Sequence, residues 1–333
     1  MAHPKTEISR QNFIDTQPFD GLNIEDASIL DTLEGRHSCP KCGKSRKFYC
    51  YSCYVPIEEL QGKLPVVKLP LKIDIIKHKH EIDGKSTAAH AAVLAPGDVS
   101  VYTYPDIPDY EDDDVVLIFP SQNAISVSQL IAGKEYGRIA QYQQAPLDEV
   151  PPGYNRSTLM KKIPKSREEC GFGTRVNKLP VSKAVFIDST WNQSRGIMAL
   201  KGQFHYLLIS IIQGIYKDER INRLPCVVIQ NRVSQFWRHQ KGSPRWYLAT
   251  VEAIHQFLVE IHLHQWGLNP AYTGIINCFT EKCINQFSLL YNVEDKAYNG
   301  QYDNMLYFFK HMYHLIHKYY QHDNLYAYKR RLM

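Results

Sequence analysis

A chain of 333 residues, 44% hydrophobic and 22% charged, has room for one large domain or two ordinary ones and the profile of a soluble globular protein. A formal charge of +5 and a pI near 8.6 suit an anionic partner and exclude the extreme basicity of a histone-like tail. The first ten residues are polar and lack the apolar core of a secretory signal, and the longest apolar stretch, residues 206–212, is far too short to span a bilayer.

Residues 1–35 are polar and unpatterned, and read as a disordered leader. The next segment, 36–60, holds "CPKCGKSRKFYCYSC", which places Cys39, Cys42, Cys50 and Cys53 in two C-x-x-C pairs separated by seven residues. Each pair can turn two thiolates toward one point, and Gly43 eases the first turn. Four soft ligands at tetrahedral distance suit zinc. Eight cysteines without a signal point to a reducing compartment, where thiols bind metal more often than they pair. The basic and aromatic residues between these cysteines form either an RNA-facing surface or a solvated rim.

"LPLKIDIIKH" (69–78) alternates and is rich in Ile, as a strand is. "STAAHAAVLA" (86–95) reads as a helix opened by Ser86. "DVVLIFPS" (114–121), "KAVFIDST" (183–190) and "PCVVIQ" (225–230) are short apolar runs of the kind found in buried parallel strands. "TVEAIHQFLVEIH" (250–262) sets Val251, Ile254, Phe257, Leu258 and Ile261 on one face of a helix with Thr250 as its cap, and 302–320 reads as a second long helix. The stretches 109–114 and 145–179 read as solvated loops. Strands alternating with helices indicate an α/β protein with a mostly parallel sheet flanked by helices.

Two stretches carry the chemistry. "FIDSTWNQ" passes from an apolar run straight to Asp188, Ser189, Thr190 and Trp191. This is either a helix cap, since Asp, Ser and Thr accept hydrogen bonds from free amides, or a ligand site at the carboxyl end of a strand. Arg238, His239, Lys241 and Arg245, beside Phe236 and Trp237, form a basic–aromatic cluster. It is either an RNA-binding surface that grips phosphate and stacks bases or a solvated turn around Gly242.

The four cysteines, "LPLKIDIIKH", "GKST", "IFPS", "DSTW", "FWRHQKG" and "LATVEAI" occur in an order that resembles the DTW-domain proteins, in particular the eukaryotic tRNA-uridine aminocarboxypropyltransferases. The resemblance implies that 61–333 is a SPOUT-like transferase domain, in which the family's chain makes a C-terminal knot around S-adenosylmethionine, with a small zinc-ribbon-like module before it. It implies an enzyme that moves the 3-amino-3-carboxypropyl group onto a uridine ring nitrogen of tRNA, at a D-loop uridine, releasing methylthioadenosine. By the same analogy Asp188 is the catalytic base or pairs with the donor's positive charge, and Trp191 offers a flat wall to it. Ser189 and Thr190, with Phe119, Pro120, Ser121, Leu248, Ala249 and Thr250, complete the cofactor pocket. Glu252, in the first helical turn, is favoured there by the helix dipole.

Residues 196–214 and 265–296 depart from the family pattern as insertions, and Lys79 stands where the family has proline. The rival readings are a non-catalytic zinc-ribbon RNA-binding protein and an S-adenosylmethionine-dependent RNA methyltransferase. The expected partner is tRNA, with no membrane and no obligate protein partner evident. Basic stretches at 161–165 and 329–331 fit the nucleus, with the cytoplasm as the alternative.

Overall fold

The computed structural model describes residues 4–79, 81–112, 114–121, 123–133, 178–188, 215–239, 244–288, 293 and 295–330. Ser189, Thr190, Trp191 and Lys241, the insertion at 196–214, the basic stretch at 161–165 and most of the 145–179 loop lie outside these residues. In chain order the elements are helix α1 (Pro4–Thr16), strands β1 (His37–Ser38), β2 (Ser45–Arg46), β3 (Tyr49–Cys50), β4 (Val55–Pro56) and β5 (Lys72–Lys77), and helix α2 (Ala88–Leu94). Then come β6 (Val99–Thr103), β7 (Val115–Ile118), β8 (Ile125–Ser126), α3 (Val127–Ala132), β9 (Lys183–Asp188), α4 (Glu219–Asn222) and β10 (Cys226–Val228). Helices α5 (Thr250–Trp266), α6 (Ile275–Cys278), α7 (Glu281–Ser288) and α8 (Tyr307–Tyr319) follow.

The four expected strand runs become β5, β7, β9 and β10 of one six-stranded sheet, ordered β6-β5-β9-β7-β10-β8. Every pairing in it is parallel. Alternate residues serve opposite faces. Ile73, Ile75, Val116, Ala184 and Phe186 join the larger core under α2 and α5, while Ile76, Val115, Leu117 and Val185 join a smaller core with Ile215, Ile221 and Leu224. Both faces are therefore covered, which is why the strands read as continuous apolar runs. Strand β9 arrives late in the chain and inserts between β5 and β7, with Lys77 opposite Asp188 and Ile118 opposite Phe186. Connections diverge around this central strand, the place where open parallel sheets form a crevice at their carboxyl ends.

Helix α5 is buried nearly all round, including Glu252, His255, Glu260 and His262, although its sequence pattern shows one apolar face. Its polar residues are met by 230–235 and 296–303, and two further segments complete the core around it. Residues 1–35, expected as a disordered leader, fold where they are described: α1 is followed by Phe19, Leu22 and Leu30, all in the main core. Their wide spacing in a polar stretch hides them from composition. Residues 265–296 contribute α6, α7 and buried Tyr272, Ile275, Phe279 and Phe287. The two segments meet closely: Gly21 (φ +72) leaves only 2.6 Å between a built Cβ and Thr273 Oγ1, and one on Gly274 would come within 2.7 Å of the Gly21 carbonyl oxygen.

A buried carboxylate joins these pieces. Asp303 accepts hydrogen bonds from the Tyr298 hydroxyl (2.7 Å), the Tyr272 hydroxyl (2.8 Å) and the Asn23 amide (2.7 Å). His255 Nε2 lies 3.0 Å from its other side, and Arg232 Nη1 lies 3.1 Å from His255 Nδ1. A guanidinium can only donate, so Nδ1 accepts and Nε2 carries the proton toward Asp303. Burial would raise the Asp303 carboxyl, but the bonds from His255, Tyr298 and Tyr272 hold it below its ordinary value.

Buried imidazoles make this fold acid-sensitive. Burial pushes His90 down to about 3 and His262 to about 4, and lowers His255 despite its Asp303 partner. Unfolded, each titrates near 6.5, so the unfolded state takes up protons first as pH falls. Their contribution to stability is then greatest above about 6.5 and declines toward about 4, outweighing the opposite contribution of the single carboxyl of Glu260, which burial pushes up to about 8. The urea midpoint should fall between about pH 7 and about pH 5, and fall less in a His262→Gln variant; a midpoint flat across that interval contradicts this account.

Candidate functional site

Asp188, at the last position of β9, is 5% exposed. Thr250 Oγ1 donates to its Oδ1 at 2.5 Å and Ser86 Oγ to its Oδ2 at 2.6 Å. These partners lie 62 and 102 residues away in sequence, so the described contacts of Asp188 are hydroxyls from distant segments and not the amides of an adjoining helix. Ser86 Oγ also accepts from the Ala88 amide (3.0 Å), and Thr87 Oγ1 accepts from the Val251 amide (3.1 Å). The first turns of α2 and α5 thus converge on one carboxylate. Burial raises the Asp188 carboxyl above its ordinary value, and the two hydroxyls and the Lys77 ammonium offset this only in part. Lys77, its register partner, is itself ion-paired with Asp83.

Thr250, expected as the cap of its helix, is instead the first helical residue behind Ala249. Its hydroxyl is free for Asp188 because Glu252 does the capping. The Glu252 carboxylate accepts from the Ala249 amide (2.8 Å), the Gln235 amide (2.8 Å) and the Ser234 hydroxyl (2.6 Å). The acid placed by the helix dipole in the sequence reading is therefore also the anchor of the 234–249 loop.

Beside Thr250 opens an apolar cleft of about 170 Å³ at the carboxyl ends of β7, β9 and β10. Phe119 and Pro120 form one wall, Leu248 and Thr250 another, with Phe186, Ile187 and Trp246 between them. Four of the expected pocket residues, from two distant stretches, thus line one space; Ser121 and Ala249 adjoin it in sequence without lining it. Thr250 both lines the cleft and bonds Asp188, so the carboxylate lies one hydrogen bond behind the cleft's lining.

The cysteine module is joined to this corner through the loop that carries Asp83 and Gly84. The Sγ atoms of Cys39, Cys42, Cys50 and Cys53 all lie within 4.8 Å of one another, with Cys42 and Cys50 3.7 Å apart. A tetrahedral ion with metal–sulfur bonds of ~2.3 Å requires sulfur–sulfur edges of about 3.8 Å, so the donor set fits one. Gly43 takes φ +67 in the first turn. Lys41 donates its amide to Cys39 Sγ (3.4 Å) and Arg46 its Nε to Cys50 Sγ (3.3 Å). Burial would raise the Cys50 thiol, yet the Ser52 and Cys53 amides and the Arg46 guanidinium bring it down to about 6.

The module shares the main core through Phe48, Ile57 and Leu60, so 36–60 is not an independent body. It also reaches the site: Ser52 Oγ donates to Asp83 (3.4 Å), the Tyr51 ring lies 3.5 Å from the Cβ position of Gly84, and Asp83 holds Lys77.

The expected RNA-binding residues are dispersed. His239 is exposed. Arg238 is half-buried and donates to the carbonyls of Lys85 (2.7 Å) and Gly84 (3.4 Å), bracing the loop that carries Ser86. Arg245 does not face solvent: it is 2% exposed and ion-paired with Asp15 of α1 at 2.6 Å. A guanidinium with a carboxylate partner can be buried, and here it pins the N-terminal helix. Sequence reading passed over Lys77, Asp83, Ser86 and Thr87 as site residues. The signal for Ser86 and Thr87 was the "GKST" stretch (84–87), whose hydroxyls stand out only once β5 and β9 are adjacent.

Residues 47–317 match the model of the DTW domain. A protein of Xenopus tropicalis named tRNA-uridine aminocarboxypropyltransferase 1 is 36% identical over 336 residues, covering 95% of this chain and 97% of the relative. Proteins of the same name from Rattus norvegicus and Homo sapiens are 39% and 38% identical, each over 90% of this chain and 84% of the relative. No solved structure matches.

Replacing Cys39 and Cys42 with Ser removes half of the thiolate donors, and metal affinity is coupled to folding of the segment that supplies them. Elemental analysis should find one metal ion per wild-type chain and none in the double variant. Retention of one ion per chain by that variant rejects the assignment.

Proposed function

The chain belongs to the DTW-domain family, and we propose that it transfers the 3-amino-3-carboxypropyl group of S-adenosylmethionine to a uridine ring nitrogen of tRNA. The observation that carries this reading is the buried Asp188 carboxylate, one hydrogen bond behind the lining of the apolar cleft. The relatives' shared name supplies the substrate class. On this reading the cleft between Phe119–Pro120 and Leu248–Thr250 takes the adenosyl part of the donor, and the departing product is methylthioadenosine.

The uridine nitrogen attacks the donor carbon next to sulfur. A carbon–nitrogen bond forms, the carbon–sulfur bond breaks, and the imide proton leaves to a base. Positioning supplies much of the rate in such a displacement. Asp188 suits the base because burial raises its carboxyl; the same group suits pairing with the donor's positive charge. Ser86 and Thr250 hold its oxygens in place in either role, and on the family analogy Trp191 offers a flat wall to the donor. We further propose a D-loop uridine as acceptor, zinc as the ion of the four cysteines, a SPOUT-like class for the parallel sheet, and the nucleus as the site of action.

The test is nucleoside and small-molecule analysis after incubating the full chain with unmodified tRNA and S-adenosylmethionine. Aminocarboxypropyluridine with methylthioadenosine is the expected result. S-adenosylhomocysteine instead identifies a methyltransferase, and no product with tRNA still bound identifies a binding protein; either sinks the proposal. Asp188→Ala should lower single-turnover transfer by about 10²–10⁴-fold if the carboxylate is the base, with donor affinity little changed. A comparable loss of donor affinity assigns it to charge pairing. Trp191→Ala should weaken donor binding. Normal transfer by both folded variants would return Asp188 to a purely structural role.

A further inference from the structure

Among the described residues, three of the four exposed aromatic side chains lie between 319 and 326. Of the large hydrophobic residues exposed among the described residues, the aromatic ones are Phe13, Tyr319 (76%), Tyr320 (56%) and Tyr326 (71%). A single exposed aromatic needs no explanation, but three within eight residues form a group. The same stretch, 318–330, carries Lys318, Lys329 and Arg330 against one acid, Asp323.

Tyr326 is presented on an anchored segment. Ala327 is 1% and Tyr328 9% exposed. The Tyr328 hydroxyl donates to the Gln235 carbonyl (3.1 Å), its ring stacks on His322 at 3.9 Å, and Arg330 donates to the Pro244 carbonyl (3.3 Å). These contacts fix the tail onto the 234–245 loop while the ring between them stays outside. Lys329 Nζ lies 5.5 Å from the Tyr326 ring centroid, and the His239 ring lies 5.9 Å away.

His239 connects this ring to the site. Its neighbour Arg238 holds the carbonyls of Gly84 and Lys85, and Ser86 follows with its hydrogen bond to Asp188. We propose that Tyr326, flanked by His239 and Lys329, is a stacking platform for an unpaired nucleotide of the substrate RNA, with Lys329 beside the adjoining phosphate. The proposal rests on the reading of this chain as an RNA-modifying transferase and adds a place where the RNA docks. A flat ring open to solvent accepts any base through its π face, and a neighbouring cation adds phosphate attraction, the pairing of features that single-stranded RNA sites use.

The test is equilibrium binding of a fluorescent unmodified tRNA transcript to the full chain, with S-adenosylmethionine binding measured alongside by calorimetry. Tyr326→Ala should weaken tRNA binding by about tenfold or more, Tyr326→Phe should stay within about twofold because the stacking face remains, and neither should change donor affinity. Lys329→Ala should lower the slope of log affinity against log salt by about 0.7. Tyr326→Ala binding within twofold of wild type overturns the proposal, as does an equal loss in Tyr326→Phe. Parallel losses for heparin and tRNA would show charge alone and also overturn it. Should the alanine variant melt early, photocross-linking of 5-iodouridine-substituted tRNA to the wild-type chain decides. A cross-linked peptide containing Tyr326 supports the platform, and a map without it refutes it. Wild-type chain that binds tRNA through Tyr326 without transferring a group would sink the proposed reaction and leave the platform standing.

Discussion

Asp188 sits 5% exposed at the end of the central strand, and a carboxylate so far from water persists there because Ser86 and Thr250 each donate a hydroxyl to it. Those two bonds organise everything around the cleft. Ser86 also accepts from the start of α2, and Thr250 is the first residue of α5, so β9 and the two helices are tied at one point. Neighbouring Thr87 accepts from the second residue of α5 and repeats the tie. The register that places Lys77 opposite Asp188 brings an ammonium to the same corner without a direct ion pair to it, since Lys77 is held by Asp83. The carboxyl is left with a raised proton affinity and two fixed donors, in a position bordering an apolar space.

Behind this corner, α5 solves a different problem. It is buried on every side and still carries Glu252, His255, Glu260 and His262. Each of these acts through a partner: Glu252 through the 234–249 loop, His255 through Asp303 and Arg232, Glu260 through the Gln230 amide, His262 through Tyr302. Buried polar contacts of this kind specify which segments must pack where. That is why the N-terminal residues around Asn23 and the 265–298 segment belong to the same body as the sheet. Both bond the Asp303 carboxylate.

The cysteine module extends the arrangement to the surface. Its four thiols lie at tetrahedral spacing, and its far side touches Asp83 and Gly84, next to the residues that hold Asp188. A short polar chain, Ser52 to Asp83 to Lys77, joins the module to the strand position opposite Asp188. Arg238 braces the same loop from the opposite side. The 81–87 loop is the common support of the module, the cleft and the segment bearing His239.

Local sequence determined what local chemistry can determine: the four thiols at C-x-x-C spacing, the apolar runs that became β5, β7, β9 and β10, the helices at 88–94 and 250–266, and Asp188 at a strand end. Each depends on neighbours within a few residues, through periodicity or ligand spacing. Only the tertiary structure decided which partners those residues meet. Strands β6 and β8 lack a strong apolar run and are strands through their pairing with β5 and β10. Arg245 carries the same charge as an exposed arginine and differs only in having Asp15 beside it. The polar stretch 1–35 looks solvated because its anchors Phe19, Leu22 and Leu30 are few and far apart, and they count only when the main core, with Phe309 and Tyr313 of α8 against Phe19, supplies a surface to bury them. Asp188 could cap a helix or border a pocket on sequence grounds. Strand order settled its contacts, since inserting β9 between β5 and β7 brings hydroxyls from residues 86 and 250 onto its two oxygens.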